Sequence, residues 1–268
     1  MPELPEVETI RRDLEKSVLN KTFRNIEIHD PFVLRSPADT FLSTLKGQSV
    51  KAIIRRGKAL LLQLKNGQYL LVHLMMTGQM VINGTPGKHT RIKFEFSDKT
   101  TLLYNDQRRF GQLSVVEDLS GVKYFQVLGP EPLGADFSVQ YVLDKTRQSR
   151  RPIKSLLLDH TFVAGIGNIY ACEILFRCGI NPQRRGEQIK LQQAQDIYRD
   201  TKEVLKEAIK YRGSSIRNYR DGSGNRGSFK QRIKVYGREQ EPCFGCQKPI
   251  KRIIQSGRST FFCAQCQK

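Results

Sequence analysis

The chain has 268 residues, enough for one large domain or two smaller ones with a substantial buried core. At 38% hydrophobic and 26% charged residues it has the balance of a folded protein, and no apolar run reaches the roughly 18 residues that a membrane-spanning helix needs. Its 45 basic residues outnumber 26 acidic ones for a net +19, split as +5 over residues 1–134 and +14 over the rest, which points to a polyanionic partner, most commonly nucleic acid.

The start, Met1-Pro2-Glu3-Leu4-Pro5-Glu6, is acidic and proline-rich, the opposite of a secretory leader, so the expected location is the cytoplasm. The first stretch reads as a helix. Pro5 suits its first turn, Glu6 and Glu8 suit its positive end, and Val7, Ile10, Leu14 and Val18 form an apolar stripe. From Phe23 to about Val116 the period shortens to that of strands, with examples at 23–28, 59–64, 69–74, 91–96 and 101–104. Asn66-Gly67 and Asn83-Gly84 supply turns, and several short strands of this kind make a sandwich or barrel.

Leu128-Gly129-Pro130-Glu131-Pro132-Leu133-Gly134 breaks regular structure and marks the linker. Helices are expected beyond it near 138–147, 152–159, 169–178 and 190–210. Gly213–Gly227 is polar and rich in Gly, Ser and Arg, and reads as a loop.

Cys172 and Cys178 are isolated, six apart in one expected helix, and read as buried thiols. Cys243, Cys246, Cys263 and Cys266 form two C-x2-C pairs with 16 residues between them, the spacing of a zinc ribbon. The stretch from Lys248 to Phe262 is long enough for a hairpin. A disulfide framework would require export, so one structural Zn2+ is expected, closed to water because all four ligands are thiolates.

The chain resembles the bacterial formamidopyrimidine-DNA glycosylase family. The residues that carry this are Met1-Pro2-Glu3-Leu4-Pro5-Glu6-Val7-Glu8-Thr9, Arg55-Arg56-Gly57-Lys58, His73-Leu74-Met75-Met76-Thr77-Gly78, Arg108-Arg109-Phe110-Gly111, Gly165-Ile166-Gly167-Asn168-Ile169-Tyr170 and the cysteine hairpin, in order along essentially the whole chain. Leu4 favours this branch over the related endonuclease VIII enzymes. The resemblance implies an α+β fold: a helix-capped β-sandwich over 1–132, a helical domain with a helix–two-turn–helix over 133–228, and a C-terminal zinc-ribbon β-hairpin over 229–268. DNA would lie in a basic cleft between them.

It also implies roles. Removal of Met1 would leave Pro2 with a secondary α-amine that titrates near ~8, well below lysine, and so is a nucleophile at neutral pH. Glu3 would shuttle protons to the sugar ring oxygen or the leaving base. Glu6 would hold the amine or assist, with simple helix-dipole stabilisation as its plainer role. Lys58 would contact the lesion phosphate or deoxyribose, and Lys154 the damaged nucleotide. His89, Arg108, Arg109, Asn168 and Arg258 would bind DNA, the last two through phosphates. Met76, Arg108 and Phe110 match an intercalating trio that fills the void left by an extruded base.

Three places depart from the family pattern: Met75, Gln107, and Ser214-Ser215 after Gly213, where a double glycine usually precedes the lesion-recognition loop. The activity implied is excision of oxidised purines, formamidopyrimidines and 8-oxoguanine opposite cytosine, followed by β,δ-elimination. The partner would be damaged double-stranded DNA at the nucleoid, with a monomeric protein and neither membrane nor small-molecule cofactor. The alternatives are an endonuclease VIII-like enzyme for oxidised pyrimidines and a non-catalytic zinc-ribbon DNA-binding protein.

Overall fold

The structure is a computed structural model and describes residues 1–215 and 219–268. Of the expected lesion-recognition loop, around Arg217–Gly227, Arg217 and Asn218 lie outside the described residues. The chain packs into two compact units, Met1–Gln126 with Ile209–Lys230, and Val127–Ala208 with Gln231–Lys268. The first unit is discontinuous: a stretch that follows the helical region in sequence packs with the N-terminal strands.

In the first unit, α1 spans Leu4–Val18, and its apolar stripe Val7, Ile10, Leu14 and Val18 is wholly buried. The strands are β1 (Phe23–Ile28), then, after α2 (Ala38–Leu45), β2 (Val50–Arg56), β3 (Ala59–Leu64), β4 (Tyr69–His73), β5 (Gly78–Ile82), β6 (Thr90–Phe96), β7 (Thr101–Asp106) and β8 (Gln112–Val116). They make two antiparallel four-stranded sheets, in the orders β1-β6-β7-β5 and β2-β3-β4-β8. One core joins both sheets and α1, with Phe23, Phe94 and Phe96 meeting Leu60, Leu62 and Val72.

The alternation on β6 is that of a strand with one solvent face. The run Ala-Leu-Leu-Leu in β3 has no such alternation, and the structure gives the reason. Leu60 and Leu62 point into the sandwich, while Ala59 and Leu61 lie under a cover formed by Leu119, Val122, Tyr124 and Phe125, the last two on the short helix α3 (Lys123–Gln126). Gly57-Lys58 forms the two-residue turn between β2 and β3, with Gly57 at φ +60°, so Lys58 sits in the turn and not on the strand.

In the second unit the helices are α4 (Val139–Arg147), α5 (Ile153–Leu157), α6 (Asn168–Arg177) and α7 (Leu191–Lys210), whose last two residues fall in the first unit. Strands β9 (Lys251–Gln255) and β10 (Arg258–Phe262) close the chain as a hairpin. Its tip, Ser256-Gly257, has both residues at positive φ, the turn that matches strand twist. Cys172 is buried against this hairpin beside Cys243 and Cys263, and Cys178 caps the end of α6. Among the described residues no helix is long and apolar enough to cross a membrane.

Candidate functional site

Pro2 and Glu3 sit at the head of α1, both buried. Glu6, three residues on, turns back and accepts the Glu3 backbone N–H at 2.9 Å on Oε2. Its other oxygen accepts the backbone N–H of Ser214 at 2.7 Å and that side-chain hydroxyl at 3.1 Å. Glu6 is therefore more than a dipole counter-charge, since both oxygens tie the first residues of the chain to residue 214. Gly213 makes this possible. It has φ +77°, and a Cβ there would lie 2.7 Å from Glu6 Oε1. Ser214 keeps the backbone donor a glycine would offer and adds a second.

Glu8 gathers Arg11, Arg12 and Arg55, the last at 3.1 Å. Burial pushes its carboxyl up, and the three guanidiniums outweigh that, holding it below the usual carboxylate range. Arg55 also donates to the Gly57 carbonyl at 3.0 Å, bracing the turn that carries Lys58, whose N–H reaches the Tyr124 hydroxyl at 3.4 Å. His73 packs edge-on against the same Tyr124 ring, and burial lowers it to about 4, so it is neutral at pH 7.

The expected trio is brought together. The Arg108 guanidinium lies 4.5 Å from the Phe110 ring centroid and 3.2 Å from Met76 Sδ. Phe110 remains 45% exposed, an aromatic with no core to serve. What holds these two loops is Asp106, a residue the sequence reading did not single out. It is buried, and its Oδ1 accepts from the Thr77 hydroxyl and the Arg108 N–H, while Oδ2 accepts from the Gly111 N–H at 2.7 Å and the Tyr104 hydroxyl at 3.4 Å. Gly111 has no room for a side chain, since a Cβ would lie 1.6 Å from the Tyr104 oxygen. Arg109 turns away from the trio to Asp30 at 3.5 Å and to the Phe32 ring. His89 lines a cavity of about 260 Å³ with Thr77, Gln79, Lys88, Asn105 and Gln107, next to the Asp106 loops. The departure at Gln107 thus falls at the cavity wall, and that at Met75 on an exposed left-handed residue.

In the second unit Lys154 is fully buried on α5. Its ammonium donates to Asn168 Oδ1 at 2.6 Å, to Thr260 Oγ1 at 2.7 Å and to the Ser259 carbonyl at 3.4 Å. Three donors meet three acceptors. The Asn168 amide in turn donates to the Ser259 carbonyl at 2.9 Å. Both side chains are engaged with β10, next to exposed Arg258 at the hairpin tip. Gly165, at φ +85°, and Gly167 lead the chain into α6, whose first turn begins at Asn168.

The four hairpin cysteines place their sulfurs within 4.8 Å of one another, with 3.4 Å between Cys246 and Cys263 and 3.9 Å between Cys243 and Cys266. These are not disulfide distances. A tetrahedral ion with metal–sulfur bonds of about 2.3 Å sets its sulfurs ~3.8 Å apart, so the donor set fits a tetrahedral metal. A second anchor escaped the sequence reading. Glu173 on α6 is buried and accepts the backbone N–H groups of Lys234, Val235 and Tyr236 at 2.8–3.0 Å, holding the chain that enters the cysteine ribbon.

Comparison with known proteins agrees with this geometry. Residues 1–113 match the formamidopyrimidine-DNA glycosylase N-terminal domain and residues 128–220 the H2TH domain of the same enzymes. The chain is 40% identical to the formamidopyrimidine-DNA glycosylase of Ruegeria pomeroyi over 100% of both chains, and 42% identical to that of Desulforamulus reducens over 100% of this chain and 99% of the relative. Its fold superposes on the MutM (Fpg) protein of Thermus thermophilus with a TM-score of 0.91 at 40% identity, covering 99% and 98% of the two chains. Against the Lactococcus lactis Fpg in complex with DNA containing an abasic site the TM-score is 0.93 at 34% identity, covering 99% of each. A sandwich with a buried Pro2-Glu3 head and a helical unit with a cysteine hairpin define the DNA glycosylases of this type. The chain belongs to the formamidopyrimidine-DNA glycosylase family.

Proposed function

We propose that this base-excision-repair DNA glycosylase removes formamidopyrimidines and 8-oxoguanine opposite cytosine through the Pro2 amine, and then cleaves the strand. The observation that carries the reading is the Glu6 hook, which fixes the Pro2-Glu3 head of α1 among buried groups. Once Met1 is removed, the Pro2 nitrogen attacks the sugar C1′ carbon as the C1′–N glycosidic bond breaks. Two protons are needed, one on the departing base and one on the opening ring oxygen. Glu3 delivers one, and the other is the proton that the Pro2 nitrogen sheds as it bonds to C1′. The product is an iminium, whose positive nitrogen takes up the electrons left when a C2′ proton is removed. The 3′ phosphate then leaves, and a second elimination expels the 5′ phosphate.

The lesion base must first leave the stack, and Met76, Arg108 and Phe110 fill its place. The loop around Arg217–Gly227 reads the extruded base. His89, Arg109 and Arg258 contact the duplex, with the Arg258 fork suited to a phosphate. Lys58, in its braced turn, meets the lesion phosphate or sugar. Cys243, Cys246, Cys263 and Cys266 would hold one Zn2+, which supplies a rigid mount for Arg258 and takes no part in the reaction. The site of action is chromosomal DNA at the nucleoid.

Borohydride reduction during turnover on an 8-oxoguanine:cytosine duplex tests this. A covalent adduct mapped to Pro2 is expected, together with inactivity of a chain whose Met1 is retained. An adduct on Lys58, or normal cleavage by the unprocessed chain, would overturn it. No adduct with any oxidised-base or abasic duplex would reduce the protein to a DNA binder.

A further inference from the structure

Helix α1 carries a second carboxylate on the side that bears Glu6. Asp13 follows Glu6 by seven residues, two turns and ~10 Å along the axis, which returns it to the same face. Glu6 grips Ser214, and Asp13 grips the chain on both sides of that point. Its Oδ2 accepts from the Arg212 guanidinium at 2.6 Å and from the Gly222 N–H at 2.9 Å. Arg212 forks onto Asp221 as well, with Nη2 and Nε at 2.7 and 2.8 Å from Oδ2. The other Asp221 oxygen accepts the N–H groups of Ser223 and Asn225.

Asp221 is 1% exposed and Asp13 8%, while the Arg212 side chain they share keeps 44% of its surface in water, so these are half-buried, charge-assisted pairs. The approach is close by construction, since a Cβ on Gly222 would fall 2.6 Å from Asp13 Cβ. Arg212 itself holds φ +58°, and the Gly222 carbonyl accepts Ile82 N–H at the end of β5. Two segments, 212–215 and 219–222, are thus stapled to one helix. That helix is the one that presents Pro2.

We propose that Asp13, Arg212 and Asp221 are positioning residues for base recognition, a latch that holds the chain just before and within the base-reading stretch at a set distance from Pro2 with α1 as the spacer. This rests on the glycosylase reading above. The base-reading stretch matters only while a base is present. A preformed abasic site asks nothing of it, because the amine needs only the sugar. Loosening the latch therefore separates two activities that share one nucleophile.

The test compares single-turnover excision of 8-oxoguanine opposite cytosine with cleavage of an abasic duplex for Asp13→Ala, Asp13→Asn and Arg212→Lys. Asp13→Ala should slow excision by about tenfold or more, the scale of one lost charge-assisted hydrogen bond, while abasic cleavage stays within about twofold. Asp13→Asn should fall between, since its carbonyl oxygen still accepts the Gly222 N–H. Arg212→Lys keeps the charge without the fork and should resemble Asp13→Asn. Equal loss of both activities would show that Asp13 serves only the fold, and unchanged excision would show that the latch has no role in recognition. Either result overturns the proposal. A parent protein inactive on both substrates would instead overturn the glycosylase reading beneath it.

Discussion

Lys154 Nζ lies 2.6 Å from Asn168 Oδ1, and the remaining two ammonium donors go to Thr260 and Ser259 on the hairpin. A lysine with all three protons spent inside the protein has none for a phosphate. Its expected contribution to DNA binding is indirect, through the placement of Arg258. Lys154→Met should weaken binding while metal content stays full. In an Arg258→Ala background it should add little, because coupled residues are not additive. A direct phosphate contact would instead lower the salt slope of binding by about one in either background.

The cysteine ribbon should fail independently of the sandwich. None of the four cysteines belongs to the core of the first unit, whereas Cys243 and Cys263 lie in the small core that joins the ribbon to α6. Cys243→Ser should lose its metal and most DNA affinity, with the sandwich still folded. Metal analysis, together with one titration on a lesion duplex, checks this. Full metal content with parental affinity would remove the ribbon from the binding surface.

Arg108 is the one trio member with hydrogen-bond donors for the base opposite the lesion. Arg108→Ala should cost about 1–3 kcal/mol of discrimination, so that excision rates opposite cytosine and adenine converge. Asp106→Asn should do part of the same damage at a distance, because an amide NH2 cannot accept the Gly111 N–H and the loop carrying Arg108 loses its brace. A cytosine-to-adenine ratio unchanged in both variants would assign opposite-base reading elsewhere.

His73, at the end of β4, gives the protein an acid-sensitive point. Its proton affinity falls from the ordinary 6.5 to about 4 on burial. Between those values the unfolded chain holds a proton that the folded chain lacks, so stability is complete above pH 6.5 and is lost as pH falls toward 4. The loss approaches ~3 kcal/mol at about 1.4 kcal/mol per pH unit. Urea midpoints at pH 7 and pH 4.5 should diverge less in His73→Gln than in the parent. Parallel shifts in the two proteins would mean that His73 is not held neutral.

Much of this architecture is local, and local features are legible in a sequence. The α1 stripe, the two C-x2-C pairs and most strand positions follow from spacing alone. So does the hairpin between the cysteine pairs, though its Ser256-Gly257 tip takes its exact form from strand twist. The trio is different: Met76 and Phe110 look like core residues until Phe110 proves exposed. Asp106, Glu173 and Asp13 were silent for another reason. Each is an acidic residue of ordinary appearance whose partners are backbone N–H groups, side-chain hydroxyls or a distant arginine, and no periodicity marks such a partner. The buried Ala59 and Leu61 escaped for a related cause, since the cover over β3 comes from a stretch near residue 120.

The discontinuity of the first unit also orders events during synthesis. Domains fold as they leave the ribosome, and translation adds about 5–20 residues per second. Helix α1 emerges first, yet the residues that close around it, 209–230, are made only after the helices of the second unit. A nascent chain stopped short of residue 209 carries the Pro2 head without Ser214 on Glu6. The buried Pro2-Glu3 head is therefore completed late, ahead only of the cysteine ribbon, and prematurely terminated chains lack the hook that ties it down.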